Sequence, residues 1–441
     1  MSARFDVPDQ VREIIARLER AGHEAWCVGG AVRDALLGHA HLDWDLATSA
    51  TPTAVMKIFK RTVPVGVEFG TVGVLDDQGT LHEVTTFRRD VKTDGRHAVV
   101  EFGASLEDDL ARRDFTINAI AYHPKSEEIR DPFEGRLDLK RGLVRAVGDA
   151  EARMREDRLR ALRALRFASR FGFHVEPSTW EAIKHSAPHL GRLSPERVKQ
   201  ELEKTMEQVE RPSIALEWWR ETGALTTLVP LLAAVPPARF LALDLIPRGG
   251  ATPEGRGATI SRLAMLFFGE TERDVQAVLK ALRFSNADGA WMSHLAGAWA
   301  ALGAEIRETG RAAEPPADAV VRRWVARVGR TRVESFFSLV AALRQAEHAA
   351  LRQAKHADAA LLATAGATAV DPLVRRAVQI AFRDPVELAD LAVDGDDLRT
   401  VGVLPGPALG QTLQALMVWV LEDPARNVRT ALLAKAKELH G

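Results

Sequence analysis

Apolar positions along the chain follow two regimes. Up to about residue 145, short apolar runs alternate with turns. Beyond about 148, helical spacing dominates. Val11, Ile14, Ile15 and Leu18 recur with helical period and predict a helix over 11–20. Ala25 to Val28 is an apolar run of strand type that ends in Gly29-Gly30, and Ala31 to Leu37 returns to helical spacing. Leu42 to Leu46 alternates apolar and acidic residues, the pattern of a strand with one wet face. Val63-Pro64-Val65 leads to a strand over Gly70 to Leu75, which pairs with Leu81 to Phe87 across an Asp77-Gln78-Gly79 tip. Phe115 to Tyr122 is mostly apolar, and Asp131-Pro132-Phe133-Glu134-Gly135 reads as a turn.

Glu151 to Phe171 reads as one long Arg/Leu/Ala helix. Ser194-Pro195-Glu196-Arg197 opens another, with Ser as N-cap and Pro at the first helical position. Residues 230–258, rich in Pro, Gly and Ala, predict a long connection. Further breaks fall at Glu314 to Ala317, around Gly366 and at Asp371-Pro372. The expected fold is therefore α+β: a mixed sheet with helices over 1–148, a helical segment over 149–205, and an all-helical array over 206–441.

The 441 residues are 46% apolar and 27% charged, enough for a sizeable core. Lys and Arg number 59 against 60 Asp and Glu. That excludes a uniformly basic coat but leaves room for a local basic stripe that binds nucleic acid. A single cysteine, Cys27, excludes an internal disulfide and a cysteine zinc site, and fits a reducing, cytoplasmic setting. Cys27 itself reads as core. Residues 1–10 do not read as a signal peptide, and no apolar stretch of about 18 residues predicts a membrane span. The 13 histidines include no HExxH and no His-Asp pair, so neither a histidine metal hydrolase nor a phosphohydrolase side activity is expected.

The chemistry gathers at Gly29-Gly30-Ala31-Val32-Arg33-Asp34 and Asp43-Trp44-Asp45. Carboxylates at i and i+2 of an extended segment share a face and repel unless a cation lies between them. Their oxygens suit Mg²⁺, which also takes substrate phosphates; two such ions activate a hydroxyl and stabilise a leaving pyrophosphate. Glycines before a helix let backbone N–H groups approach a phosphate, and Arg33 lies one turn in.

GGAVRDALLG followed by DWD resembles the signature of the class II tRNA nucleotidyltransferases, the CCA-adding enzymes and their bacterial poly(A) polymerase relatives, of the polymerase-beta-type superfamily. Arg112-Arg113-Asp114-Phe115-Thr116-Ile117-Asn118-Ala119 resembles the family's second motif. Glu156-Asp157-Arg158-Leu159-Arg160, with Arg163 and Arg166-Phe167, resembles its base-reading motif. Leu193-Ser194-Pro195-Glu196-Arg197 with Glu201 resembles its last. The resemblance covers about residues 22–205. It implies a nucleotidyltransferase head over 1–148, a neck over 149–205 and a body and tail over 206–441 that hold tRNA. Asp43 and Asp45 would be catalytic and hold Mg²⁺. Gly29, Gly30, Arg33, Arg112, Arg113, Asp157, Arg160, Arg163 and Arg166 would bind the nucleotide, with Arg113 preferred over Arg112 and Arg163 favoured as a nucleotide contact.

Glu151 to Arg170 holds seven arginines and three acids. As a helix, it puts Asp157 and Arg160 on one face. Cytosine and adenine each present an amine donor beside a ring-nitrogen acceptor; uracil and guanine present a carbonyl beside a ring N–H. A carboxylate accepts and a guanidinium donates, so such a pair matches C and A and opposes U and G. The expected activity is template-independent addition of CMP and AMP from CTP and ATP to the 3′ end of tRNA. A-only addition, CC-only addition and poly(A) synthesis share the chemistry. A DxD glycosyltransferase or a catalytically idle RNA-binding protein would leave the arginine motifs or the paired aspartates without a role. Glu83 reads equally as a third carboxylate or a hairpin charge, and Asn118 as structural. Arg88 to Phe102 resembles the family's mobile loop, with Ala98 where a Pro is common. Trp218, Trp219, Trp291 and Trp299 read as core.

Overall fold

The structure, a computed structural model, describes residues 5–39, 43–93, 98–248, 253–309, 314–355 and 372–440. It divides into two compact units, one of residues 1–201 with 214–233, the other of 202–213 with 234–441.

The first unit is built on a seven-stranded mixed sheet. Its strands are β1 (Ala25–Val28), β2 (Leu46–Thr48), β3 (Thr62–Gly66), β4 (Thr71–Leu75), β5 (Leu81–Thr86), β8 (Ala121–His123) and β9 (Glu128–Arg130), ordered β3-β4-β5-β2-β1-β8-β9. Only β2 and β5 run parallel, with Leu46 opposite Val84 and Thr48 opposite Thr86. Helices α1 (Asp9–Arg20), α2 (Gly30–Leu36) and α3 (Pro52–Ile58) join the early strands. Trp26, Val28, Ala47, Phe87, Leu106, Leu110, Ala119, Ala121 and Val147 form one buried cluster under the sheet, with Phe133 at its margin. Cys27 is fully buried in β1, and burial pushes its thiol pKa up.

Several expectations for this unit are corrected. The DWD strand lies later than read: β2 covers 46–48, residues 43–45 precede it outside any strand, and Leu42 falls outside the described residues. The polar stretch 88–102 contains a hairpin, β6 (Arg88–Thr93) paired with β7 (Ala98–Phe102), whose tip at 94–97 lies outside the described residues. A two-residue parallel pair, β10 (Leu143–Val144) with β11 (His174–Val175), interrupts the region expected to be wholly helical.

Helices α4 (Leu106–Ala111) and α5 (Gly135–Arg141) flank the second motif. The long helix expected over 151–171 is two, α6 (Ala150–Glu156) and α7 (Leu159–Phe171). Asp157 breaks it: its backbone is extended at φ −145° and its carboxylate accepts the Leu159 N–H at 3.0 Å. A short acid that satisfies a nearby N–H in this way competes with the helix. Helix α8 (Pro177–Ser186) follows, and α9 (Pro195–Gln208) starts at the proline the sequence marked.

The second unit is helical among the described residues. The expected long connection over 230–258 is instead interrupted by a helix at Pro237–Leu243, and another starts at Pro253. Arg262 is buried and donates to the carbonyls of Met206 (2.7 Å), Val209 (2.9 Å) and Ile246 (2.7 Å). It thereby satisfies carbonyls that the end of α9 leaves open. Burial lowers its pKa to about 10. Of the four tryptophans expected in the core, Trp219 and Trp299 are buried, whereas Trp218 and Trp291 are partly exposed. The break at 314–317 is present, while Gly366 and Asp371 lie outside the described residues.

Candidate active site

Strand β1 ends at Val28, whose N–H donates to the Asp45 carbonyl at 3.0 Å. This bond ties the DWD segment to the Gly29 turn. Gly29 adopts φ +74°, a conformation that glycine takes without cost. A Cβ there would stand 2.9 Å from Arg113 Nη1 and 3.7 Å from Asp45 Oδ2. One turn, one carboxylate and one guanidinium therefore meet at a single point, and the positive φ of the turn favours glycine there.

Trp44 is 2% exposed, whereas Asp43 is exposed and Asp45 partly so. The tryptophan anchors the segment inward and turns both acids the other way. The parallel register pairs Leu46 with Val84, so Asp45 and Glu83 each lie one residue before the first paired position. Glu83 is exposed and faces Gly73 of β4. Among the described residues no three His, Cys, Asp or Glu side chains converge as a closed metal cage. The donor set suits a different ion habit. Mg²⁺ keeps several waters and takes substrate phosphates, so one or two protein carboxylates suffice.

Arg113 donates to Asp109 Oδ2 at 3.1 Å, and Arg112 to Asp109 Oδ1 at 2.6 Å. Asp109 is fully buried, and the two guanidiniums outweigh that burial and lower its pKa. Of the two arginines, Arg113 is the one that reaches the Gly29 turn. Arg33 lies deeper, 3% exposed, donating to Asp34 Oδ1 (2.8 Å) and Asn118 Oδ1 (2.6 Å). Its Nη2 sits 3.6 Å from where a Cβ of Gly30 would lie.

Between α6 and α7, Asp157 Oδ2 accepts from Arg197 Nη2 at 2.8 Å. Arg160 Nη1 donates to Glu156 Oε2 (2.8 Å) and its Nη2 to the Arg112 carbonyl (2.9 Å). Asp157 and Arg160 do not share a helix face, because Asp157 precedes α7. Instead its carbonyl accepts the Arg160 N–H at 3.1 Å, so a capping turn holds the pair together. Arg163 Nε donates to Asp114 Oδ2 (2.8 Å), and Arg166 Nε to Glu201 Oε2 (2.7 Å). Asn118 Nδ2 donates to Asp114 Oδ1 at 2.9 Å, linking Arg33 to Arg163 through two side chains. The sequence reading missed Asp114 and Asp109 as the counter-ions of these arginines. The signal for Asp109 was its i+3 and i+4 spacing to Arg112 and Arg113.

The Poly A polymerase head domain family matches residues 25–145, and the family described as "Probable RNA and SrmB- binding site of polymerase A" matches 172–235. The CCA-adding enzyme of Lactiplantibacillus plantarum is 35% identical over 97% of this chain and 95% of its own length. The chain belongs to the CCA-adding enzyme family. The CCA-adding enzyme of Geobacillus thermodenitrificans is 48% identical over 51% of the chain and 55% of its own. The crystal structure of the Bacillus stearothermophilus CCA-adding enzyme in complex with CTP superposes with a TM-score of 0.71 at 32% identity, covering 98% of this chain and 97% of that one. A Thermotoga maritima CCA-adding enzyme complexed with tRNA, at 19% identity and TM-score 0.64, shares the fold. Among the described residues no helix is long and apolar enough to cross a membrane.

Proposed function

We propose that this chain adds CMP and AMP, without a template, to the 3′ end of tRNA, consuming CTP and ATP and releasing pyrophosphate. The supporting observation is the convergence of Asp45 and Arg113 on the Gly29 turn, within a chain that belongs to the CCA-adding enzymes. In this reading Asp43 and Asp45 are the catalytic pair and hold Mg²⁺. When bound, that ion supplies Lewis-acid stabilisation of phosphate charge and lowers the pKa of the attacking hydroxyl.

The protein side chains do the rest. Gly29 and Gly30 keep the turn low enough for a triphosphate to approach. Arg113 orients the phosphates, with Arg33 and Arg112 behind it, so that the RNA 3′-hydroxyl meets the α-phosphorus in line with the leaving pyrophosphate. Asp157 accepts from the exocyclic amine of the base and Arg160 donates to the neighbouring ring nitrogen. Arg163 completes the nucleotide side, and Arg166, buried against Glu201, braces it from behind. A carboxylate oxygen takes more than one donor. The Leu159 and Arg197 bonds therefore fix Asp157 without exhausting it. We assign the head to 1–148, the reading neck to 149–205 and the tRNA-holding body to 206–441, in the cytoplasm.

The test supplies tRNAs that end at the discriminator base, at C and at CC, each with CTP, ATP or both, and sizes the products. Completion to CCA from every end supports the reading. Long A tails would move it to poly(A) synthesis, the alternative that the head-domain match keeps in view. One A added only to the CC end, or CC without A, would mark a specialist. Asp43→Ala and Asp45→Ala each lower turnover on the order of a thousandfold while tRNA binding persists. Near-normal turnover in either variant would remove that residue from the catalytic pair.

A further inference from the structure

Helix α7 carries Arg163, Arg166, Phe167, Arg170 and Phe171 at i, i+3, i+4, i+7 and i+8, a single helix face. Three guanidiniums from this face and from α2 converge on one ring. Arg166 Cζ stands 4.4 Å from the Phe167 centroid, Arg33 5.1 Å and Arg163 5.2 Å. Phe171, near-parallel to Phe167 at 6.2 Å, lies 4.8 Å from Arg33 and 4.9 Å from Arg170. Phe115 meets Phe167 edge-on at 5.9 Å.

Acceptor oxygens hold the guanidinium edges: Asp34 and Asn118 for Arg33, Asp114 and, at 3.9 Å, Glu201 for Arg163, and Glu201 for Arg166. Those contacts act in the plane of each guanidinium. The negative face of an aromatic ring acts on its flat side, and its attraction is largest where the cation has lost its water. Arg33 and Arg166 have lost most of theirs, and burial accordingly lowers both pKa values. A leucine at 167 would fill similar space and offer no such field.

We propose that Phe167 is a positioning residue for the nucleotide, whose π face sets the tilt of Arg163, the most exposed guanidinium of the three, toward the incoming CTP or ATP, with Arg33 and Arg166 braced on the same ring behind it. The proposal rests on the reading that Arg163 holds the nucleotide.

The test replaces Phe167 in the whole enzyme with mono-, di- and trifluorophenylalanine, which drain the ring's negative potential at nearly constant shape. KM for CTP and ATP, KM for tRNA, kcat and the thermal midpoint are read for each. The expected result is a stepwise rise of both nucleotide KM values, on the order of tenfold by the trifluoro ring. KM for tRNA stays level, and the thermal midpoint falls only slightly as the ring–guanidinium attraction weakens. A flat nucleotide KM across the series overturns the proposal, even if Phe167→Leu unfolds. So does a nucleotide effect matched step for step by tRNA KM, since that is packing alone. Arg163→Ala tests the reading beneath. If it leaves nucleotide KM unchanged, that reading fails; if it raises KM while the fluorine series is flat, only the role of Phe167 falls.

Discussion

At Asp114, burial pushes the carboxyl pKa up, while the charge of Arg163 and hydrogen bonds from Asn118 and Arg163 pull it down, and the balance falls at about 2. A carboxyl depressed below its unfolded value near 3.9 stabilises the fold above that pH and loses the contribution as pH falls toward 2. Asp114→Asn should therefore cost about 2 kcal/mol at neutral pH, and chemical denaturation should show the gap to the parent closing between about pH 4 and 2. A gap unchanged across that range would mean the carboxylate is not paired as described. Gly29 gives a second test at this scale. Gly29→Ala adds a Cβ at positive φ and 2.9 Å from Arg113, so it should raise nucleotide KM more than it lowers the melting point. Steady-state kinetics with a melting curve checks this.

At the scale of elements, the break between α6 and α7 matters most. Its run of Arg, Leu and Ala favours helix throughout, so the break was not legible from propensity; a side chain of Asp157 bonded to its neighbour's backbone imposes it. Asp157→Asn separates the two roles of this residue. The amide oxygen can still cap Leu159, so folding should hold, but its NH₂ opposes the amine of C and A. Discrimination against UTP and GTP should fall by about tenfold or more, read as ratios of kcat/KM. Elements with a clear apolar pattern were readable: α1, β1, α2, β4 and β5 fall within a few residues of their patterns. The β6–β7 hairpin was not, because Arg88, Arg89, Lys92 and Glu101 offer no apolar alternation. Nor were β10 and β11, at two residues each. The candidate site was legible as motifs, since Gly29, Asp45 and Arg113 do meet. The carboxylates that brace the arginines were less so, because ion pairing between distant segments leaves no local period.

At the scale of the whole molecule, the charges nearly cancel, yet the partner is a polyanion. Binding through backbone phosphates releases counterions, so log K for tRNA should fall linearly with log salt, by about 0.7–0.9 per phosphate contacted. KM for CTP, set in the proposed reading by ion-paired arginines, should change far less over the same range. Equal salt slopes for both substrates would argue against a separate RNA-holding surface.

The buried Cys27 has a practical consequence. It is the chain's sole thiol, sealed in β1 beside the Gly29 turn and held protonated by its apolar surroundings. Maleimide dyes should leave the folded enzyme unlabelled, so one cysteine introduced on the surface can carry a fluorophore without prior mutagenesis of the native thiol. Under mild denaturant, slow modification of Cys27 then becomes a clock for how often the catalytic sheet comes apart.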